Sequence, residues 1–85
     1  MQERWLKCTV GPGMFSNEFT IKVKPEGPST DVASHFVSNG YVKREQGEDG
    51  RVHVRAFQDG STWWAILPTE SQDIIPVAVG DLQNA

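Results

Sequence analysis

The sequence predicts an all-β domain, a small antiparallel barrel or sandwich of about five to seven short strands with at most one helical turn near residues 31–38. Three observations predict it. Turn signals recur at short, even intervals: Gly11-Pro12-Gly13, Pro25-Glu26-Gly27-Pro28, Asn39-Gly40, Gly47-Glu48-Asp49-Gly50, Asp59-Gly60 and Thr69 to Gln72. Between them apolar and polar residues alternate, the pattern of a strand with one buried face. Shortly after Asp59-Gly60 comes an apolar run, Trp63-Trp64-Ala65-Ile66-Leu67-Pro68. Adjacent strand residues point to opposite faces, so one indole of this run enters the core and the other must find cover elsewhere or stand at the surface.

Taken in chain order, Leu6, Cys8 and Val10 against Arg4, Lys7 and Thr9 make a first strand, with Trp5 on its polar side. Phe19, Ile21 and Val23 alternate with Glu18, Thr20, Lys22 and Lys24 and make a second. Residues 30–40 leave two readings open. Val32, Ala33, Phe36 and Val37 fit one face of a short helix, with Thr30 as N-cap and Gly40 as its stop; a two-residue Asn39-Gly40 hairpin competes. Val52, Val54 and Ala56 alternate with Arg51, His53 and Arg55 and lead into the tryptophan strand. Ile74 to Val79 forms the last strand, and Pro76 confines it to an edge or a bulge. Residues 1–79 are expected to form a single domain and residues 80–85 a flexible tail.

Composition narrows the function classes. The chain has 85 residues, 38% of them hydrophobic, including three Trp and four Phe, which suits one small domain with a thin core dominated by a few aromatics. The lone cysteine, Cys8, excludes an intramolecular disulfide, and with only His35 and His53 beside it no four-ligand zinc set can be assembled. A reducing, cytoplasmic location is expected, since no apolar stretch is long enough for secretion or for crossing a membrane. The net charge of −3, from 8 basic and 11 acidic residues, favours solubility and argues against avid binding to a phosphate backbone.

A two-residue type I′ turn at Asp59-Gly60 would pair Gln58 with Ser61, Ala56 with Trp63 and Arg55 with Trp64. The core face then reads Val52, Val54, Ala56, Trp63, Ala65, Leu67, and the opposite face collects Arg51, His53, Arg55 and Phe57 beside Thr62, Trp64 and Ile66. A three-residue loop would exchange the two faces. The first register is preferred because its core set holds no polar residue. On the opposite face, cations among aromatics suit a peptide or nucleic-acid platform. The plainer alternative is that Arg55 only shields Trp64, or that a second small core covers that face.

The segment Asp59-Gly60-Ser61-Thr62-Trp63-Trp64-Ala65, followed by Ile75-Pro76-Val77-Ala78-Val79, resembles the second half of an SH3 domain. The resemblance covers residues 59–79, and the first half of the chain has no Ala-Leu-Tyr-Asp-Tyr segment. It implies an SH3-like barrel in which Trp63 and Pro76 line a groove for extended, Pro-rich ligands.

No catalytic constellation emerges. Cys8 with His35 or His53, and the hydroxyls of Ser16, Ser34, Ser38, Ser61 and Ser71, lack an activating context. Gly11-Pro12-Gly13 lacks the Lys-Ser/Thr of a phosphate loop, and Glu45, Glu48 and Asp49 lack the alternation of a calcium loop. The expectation is therefore a non-catalytic, cofactor-free interaction module that presents an exposed aromatic patch to a protein or peptide through Trp63, Trp64, Arg55, His53, Phe57 and Pro76, with self-association through a sheet edge open to it. The alternative is a single-stranded nucleic-acid-binding barrel using Lys22, Lys24, Arg51, His53 and Arg55, with Phe57, Trp64 and Tyr41 as stacking faces.

Overall fold

The computed structural model describes residues 1–27 and 32–85. Among the described residues eight strands form, β1 (Gln2–Pro12), β2 (Glu18–Val23), β3 (Ala33–Ser38), β4 (Val42–Arg44), β5 (Asp49–Asp59), β6 (Thr62–Ile66), β7 (Ile74–Val77) and β8 (Leu82–Asn84), with 3-10 turns at Asn39–Tyr41 and Val79–Asp81. All belong to one antiparallel sheet that curls into a half-barrel in the order β3-β2-β1-β5-β6-β7. No helix among the described residues is long and apolar enough to cross a membrane.

The frame is the pairing of the two longest strands, β1 and β5, from Gln2↔Ala56 to Thr9↔Asp49. Each is too long for a single partner on its far edge. β1 takes β8 along Arg4–Leu6 and then β2 along Thr9–Pro12, while β5 takes β4 along Gly50–Val52 and then β6 along Arg55–Asp59. Gly50 permits the close approach where β1, β4 and β5 meet. A Cβ there would stand 2.6 Å from Val10 Cγ2 and 2.7 Å from the Lys43 carbonyl oxygen, below any tolerated contact.

Alternation fills the core as the pattern requires. Leu6, Cys8 and Val10 from β1, Ile21 and Val23 from β2, Val52, Val54 and Ala56 from β5, and Ala65 from β6 point inward and are buried, joined by Val37, Leu67, Val77 and Leu82. Phe19, Val42, Trp63 and Ile75 pack against this cluster while only partly buried. The sheet face turned away from this cluster is the outer face.

Three local expectations are corrected. Residues 33–38 are a strand rather than a helix or one arm of an Asn39-Gly40 hairpin. β3 pairs with β2 from Glu18↔Ser38 to Val23↔Ala33, and Asn39-Gly40 belongs to a 3-10 turn. Here tertiary pairing overrides a short stretch of helical periodicity, because a helix this short has little stability of its own. The proposed cap Thr30 lies outside the described residues. Residues 80–85, expected as a flexible tail, carry β8, whose Leu82 is buried opposite Leu6. The β5–β6 hairpin turns at Gly60-Ser61 instead of Asp59-Gly60, with Asp59↔Thr62, Gln58↔Trp63 and Ala56↔Ala65 as partners. Gly60 takes a φ of 63° and Ser61 a negative one, the signature of a type II′ turn with Gly in the first central position.

The two ends of the sheet approach each other across the open side of the half-barrel. The Glu26 amide, beyond β2, donates to the Pro76 carbonyl of β7 at 2.9 Å, and His35 Nδ1 of β3 lies 3.5 Å from Asp73 Oδ2.

Candidate functional site

On the outer face of β5, β6 and β7 the register places Phe57, Trp64 and Pro76 in one row, with Arg55, Ile66 and Ile74 in the row beside it. Phe57, Trp64 and Pro76 are each half-buried, and Ile74 is 54% exposed at the edge. Pro76 fits here for a backbone reason. Its carbonyl reaches Glu26, so its polar groups point away from β6, and the missing N–H removes no bond from the β6–β7 ladder. The row therefore ends on a proline at the sheet edge.

Ile66 is 8% exposed although it points away from the main core. The loop over residues 67–73 accounts for its cover: Arg55 Nη2 donates to Gln72 Oε1 at 3.3 Å, and Arg55, Ile66, Pro68, Thr69 and Gln72 line a cleft of about 330 Å³ with Glu3, Tyr41 and His53. This loop is tightly bonded. The Leu67 amide donates to the Asp73 carbonyl, the Thr69 hydroxyl to Asp73 Oδ2 at 2.8 Å, the Asp73 amide back to Thr69 Oγ1 at 3.1 Å, and the Ser71 hydroxyl to the same carboxylate. The hydroxyls of Thr69 and then Ser71 hold the Asp73 carboxyl below its ordinary range; desolvation opposes them, and His35 adds a lesser effect in their direction.

The two adjacent indoles take opposite faces. Trp63 lies on the core side at the end of the half-barrel, half-buried, with the Arg4 guanidinium 5.7 Å from its ring centroid. Arg4 is itself held by the Gln2 side chain. Trp64 lies on the outer face between Phe57 and Pro76. The face assignment made from the hairpin pattern is thus the one observed, although neither ring is widely exposed. Arg55 reaches Gln72, and the cations stacked on aromatics among the described residues are Arg4, Lys43 and Arg44, the last 5.6 Å from the Phe19 ring.

Of the predicted binding residues, Phe57, Trp64 and Pro76 come together, with Arg55 in the next row. His53 lies further along β5, where Nε2 contacts Glu3 Oε2 at 2.9 Å and the ring meets Trp5 edge-on at 5.2 Å between centroids. Trp63 and Pro76, which the resemblance assigns to one groove, lie on opposite faces, since Trp63 pairs with Val77 and Pro76 with Trp64. Trp5, which the alternation places on the polar side of the first strand, is the residue missing from the predicted binding set. It sits on the outer face against His53, with Lys43 Nζ 4.4 Å from its ring centroid, and the signal was its place out of phase with Leu6, Cys8 and Val10.

Neither histidine is placed to activate Cys8. Cys8 points into the core at 5% exposure, and burial pushes its thiol up to about 11, an effect that Arg51 reduces and Glu45 adds to. His53 is on the other side of the sheet, and His35 is engaged with Asp73. Glu45 lies 3.5 Å from Arg51 Nε, and the described residues contain no group of three or more His, Cys, Asp or Glu side chains placed to hold a metal ion. No family model matches the chain, and no curated protein or solved structure matches it either.

Proposed function

We propose that this chain is a non-catalytic interaction module that binds a protein or peptide segment on the outer face of β5, β6 and β7. The observation that carries the reading is the Phe57–Trp64–Pro76 row, three half-buried apolar side chains from three adjacent strands that continue to an exposed Ile74 at the sheet edge. Aromatic and proline surfaces that keep part of their area in water gain free energy when a partner covers the rest, at about 25 cal/mol per Å² of apolar surface removed. The neighbouring cleft adds Tyr41, Arg55 and Gln72 as polar or amphipathic groups that could fix the orientation of a bound segment. An SH3-like barrel is part of this proposal as architecture only. The groove proposed here uses Trp64 rather than Trp63.

The reading is tested by selecting binders from a random peptide library on the intact protein and comparing them on Trp64→Ser and Phe57→Ser variants of unchanged circular dichroism. Enriched peptides should shift the tryptophan emission of the parent and bind both variants about tenfold more weakly, the loss expected for an aromatic anchor. Peptides that bind Trp64→Ser as tightly as the parent, or no enrichment at all, would overturn it.

A further inference from the structure

Lys7, Arg51 and Lys43 occupy one row across β1, β5 and β4, because the register sets Lys7 opposite Arg51 and Arg51 opposite Lys43. All three are on the outer face. Like charges directly opposite each other on neighbouring strands destabilise a sheet, yet here the arrangement occurs twice in succession at the middle of the frame. The neighbouring surface continues the same sign. Lys22 pairs with Thr9 one row along, and Lys7, Lys22 and Lys24 line a cleft of about 360 Å³ with Cys8, Thr9, Asp49 and Asp81. Five of the eight basic residues, Lys7, Lys22, Lys24, Lys43 and Arg51, therefore share one side of a chain whose net charge is −3.

Compensation within the molecule is partial. Glu45 stands 3.5 Å from Arg51 Nε without the alignment of a hydrogen bond, Asp49 and Asp81 line the cleft together with its three lysines, and Glu3 is taken by His53. Lys43 is placed over the Trp5 ring, which fixes its ammonium on this face. Among the described residues no carboxylate is at ion-pair distance from Lys7, Lys22, Lys24 or Lys43.

From this geometry we propose a second binding site, independent of the Phe57–Trp64–Pro76 row, that takes a chain of linked phosphates along the Lys7–Arg51–Lys43 row. Two strand spacings separate the outer lysines by about 10 Å at the backbone, a span suited to several linked phosphates rather than a single one. The exposed lysines offer three donors each, and Arg51, with only 17% of its side chain exposed, adds its charge between them. The shared ligand chemistry is a phosphodiester or phosphoanhydride chain, from a single-stranded nucleic acid or from a small polyphosphate.

The test uses two probes, a fluorescently labelled oligothymidylate followed by anisotropy and inorganic tripolyphosphate followed by tryptophan emission, against the parent, the Lys7→Gln/Lys43→Gln double variant and Arg4→Gln as a cation outside the row, placed over the Trp63 ring. At least one probe should bind the parent at low salt, and its affinity should fall about tenfold or more in the double variant and hardly change in Arg4→Gln. For the oligonucleotide, a single strand, the dependence of log affinity on log salt should become shallower by about 0.7 unit for each lysine removed. Binding of the oligonucleotide alone assigns the site to a nucleic-acid strand, and binding of tripolyphosphate alone to a small polyphosphate. The double variant should melt no lower than the parent, since removing opposed charges relieves repulsion. Absence of binding by both probes at low salt, or equal affinity in parent and double variant, would overturn the proposal. Because Trp64 and Phe57 are untouched, either outcome leaves the peptide reading to its own experiment.

Discussion

Asp73 carries more bonds than any other side chain near the candidate site, and its titration gives a direct measure of them. Its carboxylate accepts from Thr69 and Ser71 and faces His35 at 3.5 Å, so the folded chain holds it ionised more readily than the unfolded chain does. A carboxyl lowered in this way contributes stability that is fully present above its ordinary value and is lost as pH falls through the folded value. The difference in melting temperature between the parent and Asp73→Asn should therefore be present near about pH 5 and close as pH falls below about pH 4, the other carboxyls cancelling in the difference. A gap that persists to acid unfolding would show that the bonds of Asp73 do not depend on its charge. None of this was legible in the sequence beyond a turn signal at Thr69 to Gln72. Partners four residues apart in an irregular loop leave no periodic trace. Trp5 is the opposite case: its phase against Leu6 and Cys8 placed it on the outer face before any coordinates, and only its neighbours His53 and Lys43 were hidden.

At the scale of elements, the β5–β6 hairpin shows which part of a strand pairing the pattern encodes. The observed partners are displaced by two residues from those expected for an Asp59-Gly60 turn, yet every side chain keeps its face, because the strand repeat is two. Alternation thus fixed the inside and outside of Trp63 and Trp64, whereas the row that joins Phe57 to Trp64 and Pro76 depended on the choice between type I′ and type II′ turns. β8 went unread for a different reason: three residues are too few for a period, and Leu82 alone supplies its inward contact. That contact is measurable. Leu82→Ala should lower stability by about 2 kcal/mol, at the low end for a buried leucine because the strand is short and at an edge, and should speed hydrogen exchange of amides in β1 along Arg4–Leu6. An urea midpoint equal to that of the parent would mean that β8 does not hold in solution.

The whole molecule is organised by contacts that local pattern cannot announce. The half-barrel draws β3 toward β7 through Glu26 to Pro76 and His35 to Asp73, pairs of residues distant along the chain, and it collects cations from four strands on one side while the total charge is negative. Net charge argued against phosphate recognition because a sum has no direction; the fold supplies the direction. Strand existence, by contrast, was legible in β1, β2, β5 and β6, where several alternating residues repeat the same message. The buried thiol offers a way to watch this architecture at work. Cys8 is 5% exposed in the β1–β5 frame and its thiol is protonated at neutral pH, so an alkylating reagent meets little sulfur surface and no thiolate in the native state. Modification is therefore slow while the frame is closed, and its pace reports the fraction of time the frame stands open when reclosing is fast. One sulfur atom thus serves as a built-in clock for the opening of the structure.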